Sequence, residues 1–295
     1  MAKKDPTWKD QVFELVRPLL PAKLRGDIPI VPVVRLSGVI GAAVPLRPGV
    51  TIAAMAKVLE RAFKVRHARA VALIVNSPGG SPVQSHLIFR RIRELAAEHE
   101  LPVLAFVEDV AASGGYMVAC AADEIICDPS SIVGSIGVVG ATFGFDKLID
   151  KIGVERRVYT SGDRKVMLDP FLPENPDDVK RLKTLQKAIH EGFIALVKER
   201  RGAKLQGPEK TLFSGEFWTG MQALELGLID SLGDLRGTLR ERYGDEVQTP
   251  LISAERSLFG RRLQGVSGDI WSRPGLAEEM ISALEARALW ARYGL

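Results

Sequence analysis

The feature that most constrains this chain is a recurring unit: a short apolar run, a turn rich in glycine or polar residues, then an amphipathic helix. Residues 71–75, Val-Ala-Leu-Ile-Val, form a continuous apolar run, the pattern of a parallel strand covered on both faces. Residues 101–107, Leu-Pro-Val-Leu-Ala-Phe-Val, repeat it, and residues 124–127, Glu-Ile-Ile-Cys, give a shorter version. Between the first two, a helix starting at Pro82 or Val83 puts Leu87, Ile88, Ile92 and Leu95 on its inner side, with Arg90, Arg91 and Arg93 on a solvated face. Upstream, residues 30–40 read as a first strand, a Pro- and Gly-rich loop runs to Gly49, and Thr51 caps a helix carrying Met55, Val58, Leu59 and Phe63. Strands and helices in alternation imply parallel pairing through right-handed crossovers, hence an α/β fold.

Further along, residues 145–152 read as helical and residues 157–159 as extended. Residues 177–201 form a long amphipathic helix with Val179, Leu182, Leu185, Ile189, Phe193 and Val197 as its stripe. The net charge of +4 is small, with basic and acidic residues interleaved, and no basic-aromatic motif calls for nucleic acid. Four histidines without paired spacing give no metal site; His86 and His99 read as surface residues. Cys120 and Cys127 read as buried free thiols. The N-terminus carries no apolar core of signal-peptide length, and residues 28–44 are broken by Pro29, Pro32 and Arg35. No stretch reaches the roughly 20 residues a bilayer crossing needs. The expected address is the cytoplasm.

Two segments flank the α/β pattern. Residues 8–20 place Trp8, Val12, Leu15, Val16 and Leu19 on one helical face, suited to a membrane surface or to packing on a subunit. Residues 254–268 mix arginines with Leu258, Phe259 and Leu263, and residues 276–293 resume helical character with Leu289 and Trp290. Such a basic tail suits anionic lipid and subunit contact equally. The domain reading is therefore an N-terminal arm (1–27), a core (28–240) and a C-terminal extension (241–295).

Chemistry belongs at the carboxyl ends of parallel strands. Three loops lie there: Asn76-Ser-Pro-Gly-Gly80, Ser113-Gly114-Gly115 and Gly134-Ser-Ile-Gly137. A serine leading a helix is ordinarily a cap for an orphan N–H. The same place would suit a nucleophile with backbone donors for an oxyanion. A serine nucleophile needs a base, and no histidine lies in a comparable loop, whereas Lys165 does. A lysine acts as a base only when burial lowers its pKa.

Together, Asn76-Ser-Pro-Gly-Gly80, Ala111-Ala-Ser-Gly-Gly-Tyr116, Ala121-Ala-Asp-Glu-Ile125, Gly134-Ser-Ile-Gly-Val138 and the late Lys165 resemble the signal peptide peptidase A family, serine peptidases with a Ser/Lys dyad. The resemblance runs from about residue 30 to 234, with 52 residues from serine to lysine as the family has it. It implies a ClpP/crotonase-like fold: a repeated ββα core with parallel sheets and flanking helices. It also implies Ser113 as nucleophile, Lys165 as general base, the N–H groups of Gly80 and Gly114 as oxyanion hole, and Ser135 as the residue orienting the lysine. An acyl-enzyme intermediate and no cofactor follow. The family forms homo-oligomeric rings, in some of which neighbouring subunits share a site. Members commonly carry a membrane anchor; this sequence reads as a single-domain member without one, with membrane contact at most peripheral and apolar, signal-peptide-like peptides as substrates. The alternatives are a crotonase-type acyl-CoA enzyme, which would need acid/base carboxylates in the site loops, where Glu108 and Asp109 suit capping or turn roles better, and a non-catalytic oligomeric scaffold.

Overall fold

The computed structural model describes residues 28–41, 49–162, 164–253 and 287–294. The expected helix at residues 8–20 and the basic segment at residues 254–268 lie outside them, as do residues 276–286. In chain order the elements are β1 (Val33–Ser37), α1 (Ile52–Phe63), β2 (Val71–Ser77), α2 (Pro82–His99), β3 (Val103–Ala112), α3 (Gly114–Ala119), β4 (Glu124–Cys127), β5 (Ile132–Gly134), α4 (Asp146–Lys151), α5 (Pro176–Arg201), α6 (Glu209–Leu212), β6 (Phe217–Thr219), α7 (Gly220–Glu225), β7 (Ser231–Leu232) and α8 (Leu235–Tyr243).

The strands form one sheet in the order β1-β2-β3-β4-β7, parallel throughout, with β5 parallel to β3 and β6 antiparallel to β5. The unbroken apolar run of β2 has the expected cause. Val71, Leu73 and Val75 pack into the core that α1, α2 and α3 close, whereas Ala72 faces Val33, Leu104, Phe106 and Leu239 on the other side. Each fully buried aliphatic side chain there contributes about 1.5–3 kcal/mol over an exposed one. The helices begin where their caps permit. Thr51 accepts from the Ala54 N–H (3.2 Å), and Ser81, followed by Pro82, accepts from Gln84 (3.4 Å).

Strand β3 is longer than its sequence indicates. The apolar run stops at Val107, but the strand continues to Ala112 by changing partner: residues 104–107 pair with β4, and residues 110–112 with β5. Against β2 the register jumps, Val75 opposing Val107 and Ser77 opposing Ala111, so Glu108 and Asp109 form a bulge. The bulge is stitched down on all sides. Arg35 holds Glu108 through two bonds (2.6 and 2.8 Å), Asn76 donates to Asp109 (2.6 Å) and accepts from the Val110 N–H (3.3 Å), and Ser131 donates to the Glu108 carbonyl (2.5 Å). The structure thus extends a strand straight into the serine turn.

Other expectations need correction. Residues 116–122, small, apolar and free of proline, read as a buried helix, but helix α3 runs Gly114–Ala119, and arginines take the carbonyls beyond it: Arg200 bonds Cys120 and Ala122 (2.9 Å each), and Arg93 bonds Ala121 (3.1 Å). Arg93 is therefore a structural donor, not only part of a solvated face. His99 is not an ordinary surface residue; it stacks on Phe63 and its Nε2 is buried without a hydrogen-bond partner. The stripe of α5 is buried only in its second half, at Phe193, Leu196 and Val197, while Leu185 and Ile189 stay exposed. The stretch before α5 is likewise open: α4 buries no residue, and Val139, Phe143, Ile152 and Tyr159 are more than 60% exposed.

Candidate active site

The serine turn is a junction with no connecting residues to spare. β3 ends at Ala112, α3 starts at Gly114, and Ser113 alone makes the reversal at φ 52°, ψ −121°. A non-glycine residue there carries strain on the order of 1–3 kcal/mol and persists only where its surroundings impose it. They do so here: the Ser113 N–H donates to Gly134 (2.8 Å), and its carbonyl accepts from Met117 (3.0 Å). The bland expectation fails at this point, since the Ser113 side chain makes no capping bond. Its hydroxyl has no hydrogen-bond partner among the described residues.

The glycine loop after β2 lies directly against this turn. A Cβ on Gly79 would fall 2.8 Å from the Ser113 Cβ and 2.9 Å from the Gly114 nitrogen, so only glycine permits the approach. A Cβ on Gly114 would fall 3.5 Å from the Gly80 nitrogen. The N–H groups of Gly80 and Gly114 are therefore neighbours, and neither meets a hydrogen-bond acceptor among the described residues. Two free N–H groups beside a free hydroxyl are what an oxyanion hole requires.

Ser135 occupies the matching position one strand over. Ala112 and Gly134 are register partners, so Ser113 and Ser135 follow neighbouring strand ends, both at positive φ (52° and 53°). Ser135 is buried and its N–H donates to Glu216 (2.6 Å). His190 of α5 reaches the next residue, bonding the Ile136 carbonyl (2.9 Å). Four of the five expected site residues (Gly80, Ser113, Gly114 and Ser135) thus come together at the ends of β2, β3 and β5.

Lys165 does not join them within the chain. It is exposed, in the loop between α4 and α5, and its ammonium has no hydrogen bond or ion pair among the described residues. That loop is organised around other contacts: Arg156 pairs with Asp169 (2.6 Å) and covers the Phe171 ring (5.1 Å), and Asp178 accepts from the Leu168 N–H (3.3 Å). A cavity of about 560 Å³ lies elsewhere, between β3, β5 and α8; Glu108 and Asp109 line it, and Gly80, Ser113, Gly114, Ser135 and Lys165 do not.

Several other reactive groups among the described residues are occupied or inert. Glu108 and Asp109 are held by Arg35 and Asn76, which removes them as free acid/base groups. Burial pushes the Cys120 and Cys127 thiols up to about 12, so neither competes with Ser113 as a nucleophile near neutral pH. Behind α3, the Tyr116 hydroxyl donates to the Leu228 carbonyl (2.8 Å), and burial raises its pKa well above the ordinary value. Burial would also raise Asp230, but hydrogen bonds from Lys204 and Arg201 outweigh it and hold the carboxyl below its usual range. Two further buried serines, Ser77 and Ser85, press on the glycine pair and went unassigned in the sequence, where one serine in a polar turn looks like any other.

Comparison with known proteins agrees with this geometry. Residues 96–245, half of the chain, match the model of peptidase family S49. A Brucella abortus protein named Na(+)/H(+) antiporter NhaA is 56% identical over 95% of this chain, which spans 39% of that protein. The chloroplastic serine protease SPPA of Arabidopsis thaliana is 33% identical over 64% of this chain and 28% of its own length. A Synechocystis protein bearing a protease name is 32% identical over 66% of this chain and 72% of its own length. The chain spans less than two thirds of the first curated relatives it matches. The antiporter name belongs to the larger Brucella protein; among the described residues here, no helix is long and apolar enough to cross a membrane. With its family match laid over the serine turn and the Ser135 loop, the chain belongs to peptidase family S49.

Proposed function

We propose that this chain is a serine endopeptidase working through a Ser113/Lys165 dyad, with Lys165 delivered to each Ser113 by a neighbouring subunit. The observation that carries the reading is Ser113 itself: a strained backbone held at a strand end, its hydroxyl excused from capping and set beside two unpartnered N–H groups. The direct junction of β3 and α3 imposes that strain and leaves the hydroxyl free.

The chemistry follows from the groups in place. Lys165, neutral, takes the Ser113 proton as Oγ attacks the scissile carbonyl. The N–H groups of Gly80 and Gly114 hold the oxyanion. Collapse breaks the C–N bond, the departing amine takes the proton from Lys165, and an ester to Ser113 remains. Water, deprotonated by Lys165, then hydrolyses the ester and restores both residues. Ser135, at the matching position one strand over from Ser113, suits a hydroxyl that orients the lysine.

A neutral lysine requires desolvation, and an exposed ammonium has none. A ring of subunits supplies it. The loop bearing Lys165 sits in the same open stretch as Val139, Phe143, Ile152 and Tyr159, an apolar surface that a second copy would cover while carrying the lysine to the neighbour's serine. Substrates are read as extended apolar peptides, on the family resemblance.

Purified protein should cleave a fluorogenic apolar peptide, and Ser113→Ala and Lys165→Ala should each abolish cleavage. Mixing the two inactive variants should restore part of the activity if sites are shared. Wild-type rates in Lys165→Ala would sink the dyad, and an active monomer would sink the sharing.

A further inference from the structure

The oxyanion donor Gly80 hangs from a glycine pivot, and the structure shows what stops the pivot from turning. Gly79 stands at φ +100° and Gly80 at φ +141°, conformations that leave the loop wide rotational freedom. Both peptide planes flanking the Gly79 Cα are nevertheless tied down. On one side, the Ile40 N–H donates to the Gly79 carbonyl (2.8 Å). A trans peptide is planar, so a carbonyl pointed at Ile40 aims the Gly80 N–H the opposite way, toward the serine turn. On the other side, the Gly79 N–H donates to the Ser77 hydroxyl (3.2 Å), which itself donates to the Gly38 carbonyl (2.7 Å).

Ser77 is 1% exposed, and its hydroxyl uses both its donor and an acceptor position there. Filling space alone would not call for a hydroxyl, since burying one without partners is unfavourable. The group also links the two segments that frame the loop. Gly38 and Ile40 lie on one flank, joined again where the Ser81 N–H donates to the Ile40 carbonyl (2.8 Å). On the other flank the Ser77 backbone meets the helix start: a Cβ on Gly115 would fall 2.5 Å from the Ser77 carbonyl oxygen.

We propose that Ser77 is a positioning residue for the oxyanion hole, its hydroxyl clamping Gly79 between the Gly38–Ile40 segment and the serine turn so that the Gly80 N–H stays aimed at the reacting carbonyl. The inference rests on the peptidase reading above. It separates what Ser77 does for the transition state from what it does for the fold.

The test uses the whole 295-residue chain, a fluorogenic apolar peptide, and a peptide boronate whose tetrahedral adduct with Ser113 sets an oxygen in the oxyanion hole. Ser77→Ala should lower kcat about 10- to 100-fold, less than or equal to the loss of a whole donor, and leave KM within about twofold. The boronate should weaken by the same factor as kcat/KM. Ser77→Cys fills the same space with a poor hydrogen-bonding group and should lose kcat at near-native Tm, which keeps the test open should Ser77→Ala fail to fold. A lower Tm with unchanged kcat and boronate affinity in the folded variants would make Ser77 structural only and overturn the proposal. A wild type without Ser113-dependent cleavage would overturn the peptidase reading, and this inference with it; normal wild-type cleavage beside unaffected Ser77 variants overturns this inference alone.

Discussion

Replacing Ser113, the proposed nucleophile, by glycine should stabilise the protein while silencing it. Ser113 sits at φ 52°, ψ −121°, a conformation that costs a residue with a Cβ on the order of 1–3 kcal/mol and glycine almost nothing. Glycine gives back about 0.5–1 kcal/mol through the greater entropy of its unfolded chain. The Ser113 side chain makes no capping bond, so loss of the hydroxyl adds little to either side. The balance leaves Ser113→Gly about 1 kcal/mol more stable than Ser113→Ala, a rise in Tm of about 2 °C for a chain of this size. Ser113→Ala, which keeps the Cβ and its strain, should match the wild type within about 0.5 kcal/mol. The comparison turns on a sign. At an ordinary helix or strand position alanine beats glycine by roughly 0.5–1 kcal/mol. Parallel thermal and urea unfolding of the three proteins measures it, with peptide cleavage confirming that both variants are inert. Ser113→Ala emerging as the more stable variant by that ordinary margin would refute the claim that strain is stored at Ser113.

Two further substitutions probe the packing behind the site. Gly114→Ala would put a Cβ 2.3 Å from the buried Ser85 Oγ, itself bonded to the Ser81 carbonyl (2.9 Å), so something must move. Overpacking should cost about 1–3 kcal/mol and the displaced N–H about a hundredfold in kcat. Adding Ser85→Ala should recover much of both, and purely additive losses in Tm and kcat would contradict the contact. Asp230→Asn should destabilise by roughly 3–5 kcal/mol, because Arg201, 3% exposed, would keep only the Gly227 carbonyl (2.8 and 3.2 Å) as an unchanged partner. The Asp230 carboxyl is held below its ordinary value of 3.8, so its contribution is complete above that pH and disappears as pH falls through the lower folded value. Urea midpoints from pH 7 down to pH 3 should therefore fall less steeply in Asp230→Asn than in wild type, and equal slopes would contradict the linkage.

The fold was legible wherever burial is two-sided or periodic. The run at residues 71–75 announces a central parallel strand because both faces are covered, and the cap Thr51 announces its helix because an orphan N–H needs an oxygen. What stayed hidden depends on partners distant in sequence. Nothing local in Glu108 and Asp109 reveals a bulge; Arg35, Asn76 and Ser131 make it possible, and they come from β1, β2 and the turn before β5. The early end of α3 is hidden for the same reason, since Arg93 and Arg200, from two other helices, take the carbonyls beyond it.

The site divides along the same line, and the division bears on how it works. The loops holding Gly80, Ser113, Gly114 and Ser135 were legible because parallel strands bring their ends to one edge, whereas the role expected of each residue came from the family resemblance. Lys165 belongs to no strand end. It lies in a stretch where α4 buries nothing and α5 exposes Leu185 and Ile189, so the residues around it lack the core that would fix a side chain against Ser113. A sequence interval of 52 residues cannot say which copy of the chain completes the pair. A lysine base must be dry, and an exposed loop becomes dry only when something covers its apolar neighbours, which is the ground for proposing a second subunit. The surface that would bind a second subunit and the group that would activate the serine are thus carried on one element. Activity in this arrangement is a property of the assembly, so peptide cleavage per chain should rise with protein concentration through the dissociation range of the ring. A rate per chain that stays constant down to the monomer would place the base within a single subunit.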